Sequence, residues 1–195
     1  MIVGIDLAGS EKRNTGFCSM NLKLECKTLI LHSNQEILQA VEKVKPKVIS
    51  IDAPLFLPLG RKSLEDRKGP HLRECDRKLL EMKIKLFPLT LGPMRKLTRR
   101  GIQLRKIFER KGYKVIETYP GAAQDILKIP RKNAGIEKVR KSLKKLGIKG
   151  DVDKKDITHD ELDAIVCAYV GFLYLKKKFL ALGNKKEGFM ILPLP

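Results

Sequence analysis

Apolar positions follow two rhythms along this chain. Ile2 to Leu7 is a short continuous run rich in Ile and Val, closed by Gly9 and Ser10, and it predicts a strand. Residues 8–14 (AGSEKRN) form a polar turn. Thr15–Met20 and Leu24–His32 predict two further strands joined by a tight turn near Asn21, so the chain opens as an antiparallel meander. The period then changes. Ser33-Asn-Gln-Glu36 is a capping box, and Ile37, Leu38, Val41 and Val44 follow at helical spacing. Lys45-Pro46 ends that helix, because a residue before proline is disfavoured in the helical region. Lys47–Asp52 (KVISID) is the next strand; reached through a helical crossover, it is expected to run parallel to one already laid down.

Residues 53–112 differ in character. Three Pro-bearing breaks, at Ala53-Pro54, Leu57-Pro58 and Gly92-Pro93, separate helical patterns near 72–86 and 96–111. The stretch reads as a helical insertion. Tyr113–Thr118 is another strand, stopped at Tyr119-Pro120, and residues 121–149 are helical with a break at Pro130. Thr158-His-Asp-Glu161 is a second capping box, and the helix it starts runs to about Lys178, apolar on nearly all sides and therefore buried. The tail FMILPLP is expected to add a short edge strand or to dock on the core. The 195 residues read as one α/β domain, 1–195.

Charge adds the first functional constraint. The chain carries 41 Lys and Arg against 22 Asp and Glu, a net charge of +19. Residues 61–114 hold 18 of those cations against 6 acids, residues 126–149 hold 9 against 1, and the remainder is nearly neutral. Abundant Lys with scarce Asn and Gln is thermophile in style, but that style raises Glu together with Lys. Segregated positive charge points to a polyanion, most simply DNA or RNA. No apolar run reaches the roughly 18 residues that a membrane span needs. The first residues read as a strand rather than a signal peptide, so a cytoplasmic location is expected. Four scattered cysteines without a CxxC pair disfavour a zinc site or a disulfide framework.

The acids carry the chemistry. Three apolar strands finish on a carboxylate: Gly4-Ile5-Asp6, Ser50-Ile51-Asp52 and Val115-Ile116-Glu117. Ligands of open α/β sheets gather at carboxyl strand ends, so parallel neighbours would bring these acids together. Crowded carboxylates need a cation or a proton, and hard oxygen donors suit Mg²⁺ or Mn²⁺. Asp160 and Asp163 share one face of the last helix, and Asp163 sits in an apolar stretch where an unpaired charge is costly. Singly, each acid has an ordinary alternative: a turn residue for Asp6 or Asp52, an ion pair for Glu117 or Asp163, a helix N-terminal acid for Asp160. Lys12 and Arg13 in the first turn would overhang the strand ends. Arg73 and Arg77, four apart on a helix, suit two phosphates. Tyr119 could stack on a base, and His159 beside Asp160 could carry a proton.

Taken in order, MIVGIDLAGS…NTGF, VISIDAPLFLP, RECDR, ETYP and THDELDAIVCAYVG resemble a domain-of-unknown-function family of RNase H-like nucleases related in fold to the RuvC resolvases. The resemblance covers most of the chain. It implies a mixed five-stranded sheet, three antiparallel strands leading into parallel ones, flanked by helices, with the basic insertion at about 53–112. It also implies a metal site of Asp6, Asp52, Glu117 and Asp163, with Asp160 beside it, and phosphodiester hydrolysis assisted by two Mg²⁺ or Mn²⁺ ions. RuvC-like resolvases are dimers, though no residue here marks an interface. The same core occurs in sugar kinases and actin-like ATPases, and GIDLAGSEKRNTG resembles their first phosphate loop. IDAPLF, however, lacks their second Gly-rich loop. A non-catalytic nucleic-acid binder is the third expectation, disfavoured by acids that would face phosphates.

Overall fold

The computed structural model describes all 195 residues. One mixed sheet of eight strands runs through it, and its centre is the meander expected from the sequence. Strand β1 (Ile2–Asp6) pairs antiparallel with β2 (Thr15–Met20), and β2 pairs antiparallel with β3 (Glu25–Leu31). Helix α1 (Asn34–Val44) starts on the Ser33–Glu36 capping box. It stops at Lys45, which is left-handed at φ 47° just before Pro46. The crossover then lays β4 (Val48–Asp52) parallel to the other side of β1, and β5 (Val115–Thr118) lies parallel to β4.

The sheet is wider than five strands. Lys149–Gly150 (β6) extends it beyond β3. At the other edge β8 (Gly188–Pro193) pairs parallel with β5, and β7 (Phe179–Asn184) pairs antiparallel with β8. The C-terminal tail therefore makes an interior strand, and the unpredicted β7 forms the edge. The order is β6-β3-β2-β1-β4-β5-β8-β7.

Two layers cover the sheet. On one face lies α6 (His159–Leu175), started by the Thr158–Glu161 capping box and buried along most of its length. It packs against β1 so closely that a Cβ on Gly4 would run into the backbone of Ala164 and Ala168. Ile2, Val48 and Ile116 join that core. Val3, Ile5, Ile49, Ile51 and Val115 point the other way, into a second core with Ile37 and Val41 of α1 and with Leu104 and Phe108 of the insertion.

The insertion between β4 and β5 carries α2 (Glu74–Glu81) and α3 (Gly92–Arg110). Part of its charge is internal. Arg61 is buried and donates to the carbonyls of Asp66, Gly69 and Pro70, which folds the loop around it. Arg100, also buried, donates to the carbonyl of Ala8 at 2.8 Å and to the Asn34 side chain at 2.7 Å, which fastens α3 to the loop after β1. After β5 come α4 (Pro120–Ile126), a single 3-10 turn at Lys132–Ala134 and α5 (Ile136–Lys145). All four cysteines are buried thiols. No helix is long and apolar enough to cross a membrane.

Candidate active site: an acidic cleft with a basic rim

Strand register decides which acids meet. In the β1–β4 ladder Asp6 stands opposite Asp52, so the two carboxylates leave adjacent strand ends on the same face. That face is the one covered by α6. Near the N-terminus of α6, Asp160 and Asp163 reach the same place: Asp6, Asp52, Asp160, Asp163 and His159 all line one cleft of about 1280 Å³. Gly16 on β2 permits this approach, because a Cβ there would strike the carbonyl oxygen of Asp160.

Glu117 is not part of that group. In the β4–β5 ladder its partner is Ile51, and Thr118 is the residue opposite Asp52. With a side-chain period of two, Glu117 faces the opposite side of the sheet from Asp6 and Asp52. Its carboxylate is buried and already bound: Arg73 donates to both oxygens at 2.7 Å, and the Leu55 amide donates at 2.7 Å. Expecting Glu117 as a metal ligand is therefore corrected by register and by its ion pair. Strand β5 runs one residue past the level of Asp52, an offset that the sequence pattern hides.

The same contact corrects Arg73. It is 1% exposed and is held by Asp76 as well as Glu117, so it is unavailable to a phosphate. Arg77 is exposed, donates to the Leu72 carbonyl and stands outside the cleft. Lys12 is exposed on the first loop without lining the cleft, whereas its neighbour Arg13 does line it. Tyr119 also lines it; its hydroxyl donates to the Lys85 carbonyl at 3.2 Å, and the Arg131 guanidinium lies 5.8 Å from the ring centre.

Several cleft residues carry no signal that pattern reading detects. Gln124 on α4 donates to Asp163 at 2.9 Å and so orients it. Lys96 and Lys132 supply positive charge along the rim, Arg131 lines it paired with Asp125 at 2.6 and 2.7 Å, and Phe87, 72% exposed, stands there as well. These residues come from two separate stretches of chain, 87–96 and 124–132, and only the fold brings them to the acids.

The electrostatics follow from crowding. Burial pushes the Asp6 carboxyl well above the usual carboxylate range, and Asp52, Asp163 and Asp160 add repulsion. Asp52 is pushed up to about 8, by burial first and then by Asp163 and Glu117. Asp163 is raised by burial, against Lys132, Gln124 and His159, which favour its charged form. Asp6 and Asp52, side by side on neighbouring strand ends, are thus both crowded carboxyls held toward the protonated form. In this arrangement no three His, Cys, Asp or Glu side chains stand at metal-ligand spacing. The donor set itself is all carboxylate oxygen, which fits Mg²⁺ or Mn²⁺ and no softer metal.

No protein-family model matches the chain, and no curated protein matches it. Among solved structures it is similar to Thermus thermophilus RuvC in complex with a Holliday junction substrate, at a TM-score of 0.51 and 13% identity over 100% of both chains. The fold is RNase H-like. A second Thermus thermophilus RuvC structure aligns over 100% of both chains at a TM-score of 0.47 and 14% identity. Identity this low carries the architecture and not the activity.

Proposed function

We propose that this chain is a divalent-cation-dependent nuclease that hydrolyses phosphodiester bonds in DNA or RNA, and that it belongs with the RuvC-related RNase H-like nucleases that its motifs resemble. The observation that carries the reading is the meeting of Asp6, Asp52, Asp160 and Asp163 in one cleft rimmed by Arg13, Lys96 and Lys132. Bare carboxylates repel a phosphodiester, and a basic rim attracts it. The combination makes chemical sense when cations stand between acid and phosphate.

Asp6 and Asp52, at register on neighbouring strands, are the pair that would hold a cation from two sides. Asp163, oriented by Gln124, would complete the shell with Asp160 beside it. Two Mg²⁺ or Mn²⁺ ions held there would supply an activated water and stabilise the leaving oxygen. The side chains do the rest. Arg13 and Lys96 hold the strand by its phosphates. Phe87 and Tyr119 offer ring faces on which an unpaired base stacks. His159 stands at the cleft beside Asp160, in position to pass a proton to the departing oxygen.

The decisive experiment incubates the purified protein with single-stranded and branched DNA and RNA in Mg²⁺ or Mn²⁺. Cleavage that EDTA abolishes and Asp6→Asn removes supports the reading. Cleavage that survives both treatments overturns it, as does tight binding with no turnover under any metal.

A further inference from the structure

The segment from the 3-10 turn through α5 lies in the second of the two basic stretches of the chain. Within α5, Val139 and Leu143 are buried. Two of its cations are paired: Arg140 with Glu137 at 2.9 Å and Lys144 with Asp153 at 2.7 Å. The other three, Lys138, Lys141 and Lys145, are exposed and have no acidic partner. At 3.6 residues per turn they fall within an arc of about 60°, opposite Val139 and Leu143. Like charges at spacings of three and four residues destabilise a helix. This face accepts that penalty without a packing contact that would explain it.

Its position is equally specific. Arg131, Lys132 and Asn133 line the acidic cleft, and α5 begins three residues after Asn133. The lysine face therefore begins six residues beyond Lys132 of the basic rim. From Lys138 to Lys145 it extends about 10 Å along the helix, a length that meets about three consecutive phosphates at roughly 3.4 Å of axis per nucleotide.

We propose that the Lys138–Lys141–Lys145 face of α5 is a second nucleic-acid contact, gripping the phosphate backbone of the duplex that flanks the bond held in the cleft. The proposal rests on the nuclease reading, since it takes the cleft as the place where the strand is held. A substrate long enough to reach α5 gains contacts that a short one lacks, so affinity rises with length, and cutting is biased toward positions with duplex on that side.

Binding is measured by fluorescence anisotropy in EDTA, which removes turnover from the readout. The probes are a duplex of about 30 base pairs and a hairpin of about 8 base pairs, titrated at several salt concentrations. The triple variant K138Q/K141Q/K145Q keeps good helix formers at exposed positions. It should bind the long duplex about tenfold more weakly at about 0.1 M salt, with a salt dependence shallower by about 2–3 in log–log slope. Its affinity for the short hairpin should stay within about twofold of the parent, because without metal that probe meets only the basic rim of the cleft. K176Q/K177Q/K178Q removes the same charge just beyond the C-terminal end of α6, about 25 Å from the cleft end of that helix, and should change neither affinity. The proposal is overturned by unchanged binding of the long duplex, by equal losses for both lengths, or by an equal loss in the distant variant. Should the triple variant lose its helical signal, the three single Lys→Gln variants carry the test, each weakening only the long probe by about twofold. A protein that binds with this length dependence but never cleaves defeats the nuclease reading and leaves the α5 contact standing.

Discussion

Arg73 closes both oxygens of Glu117 at 2.7 Å each, linking the start of α2 to strand β5 through a fully buried ion pair. Asp76 completes the cluster at 2.9 Å. Removing the cation alone would strand two buried carboxylates. Arg73→Ala should therefore cost about 3–5 kcal/mol of unfolding free energy, read by urea denaturation. A loss under about 1 kcal/mol would mean that the cluster does not anchor the insertion.

Glu117→Gln separates structure from chemistry. It weakens the ion pair, so stability should fall. Mn²⁺ affinity, followed by the electron-paramagnetic-resonance signal of the free ion, should stay within about threefold, because Glu117 faces away from Asp6 and Asp52. A loss of tenfold or more would return Glu117 to the metal set.

Asp6→Asn should do the reverse. It removes one charge from a crowded group of acids, so the metal-free protein should be as stable as the parent or more so, while cleavage falls by about a thousandfold or more. Thermal unfolding in EDTA and single-turnover cleavage assays read the two halves. A variant that is both unstable and inactive would reduce Asp6 to a structural residue.

The raised carboxyls of Asp6 and Asp52 make stability depend on pH in a defined direction. Asp52 sits at about 8 in the folded protein, and Asp6 is raised as well, whereas both return to the ordinary carboxylate range on unfolding. The folded state thus binds more protons between about pH 4 and pH 8, and the contribution of this pair is lost as pH rises through that window. In EDTA the melting temperature should drop by about 3 °C or more from pH 6 to pH 9. Mg²⁺ should raise it more at pH 9 than at pH 6, because a cation replaces the proton. A flat profile with equal Mg²⁺ effects would rule out raised carboxyls at Asp6 and Asp52.

Phe87 offers a test of the cleft that spares the core. The ring is 72% exposed, so Phe87→Ala should leave the melting temperature unchanged. Loss of one stacking platform should raise KM for substrates with unpaired bases by about tenfold, with a smaller effect on fully paired ones. Equal effects on both would assign the ring to the fold rather than to the substrate.

Much of this arrangement is legible from local chemistry. Ser33–Glu36 and Thr158–Glu161 announce α1 and α6 because a capping box satisfies orphan amides within four residues. The apolar run after Thr158 marks a buried helix, and Asp163 within it marks a carboxylate that needs a partner. Strand-end acids identify Asp6 and Asp52 because both the strand and its termination are short-range features. What the chain pattern does not reveal is register. Glu117 looks equivalent to Asp52 along the sequence, yet β5 is offset by one residue against β4, and one residue turns a side chain to the other face. Likewise Arg73 reads as a surface cation until the fold buries it between two acids, and Gln124, Lys132 and Phe87 acquire meaning only when remote segments close around one cleft. Hydrogen-bonding and periodicity act over a few residues and so are written in the sequence itself; which charges face each other depends on strand alignment and layer packing, and those the tertiary structure alone decides.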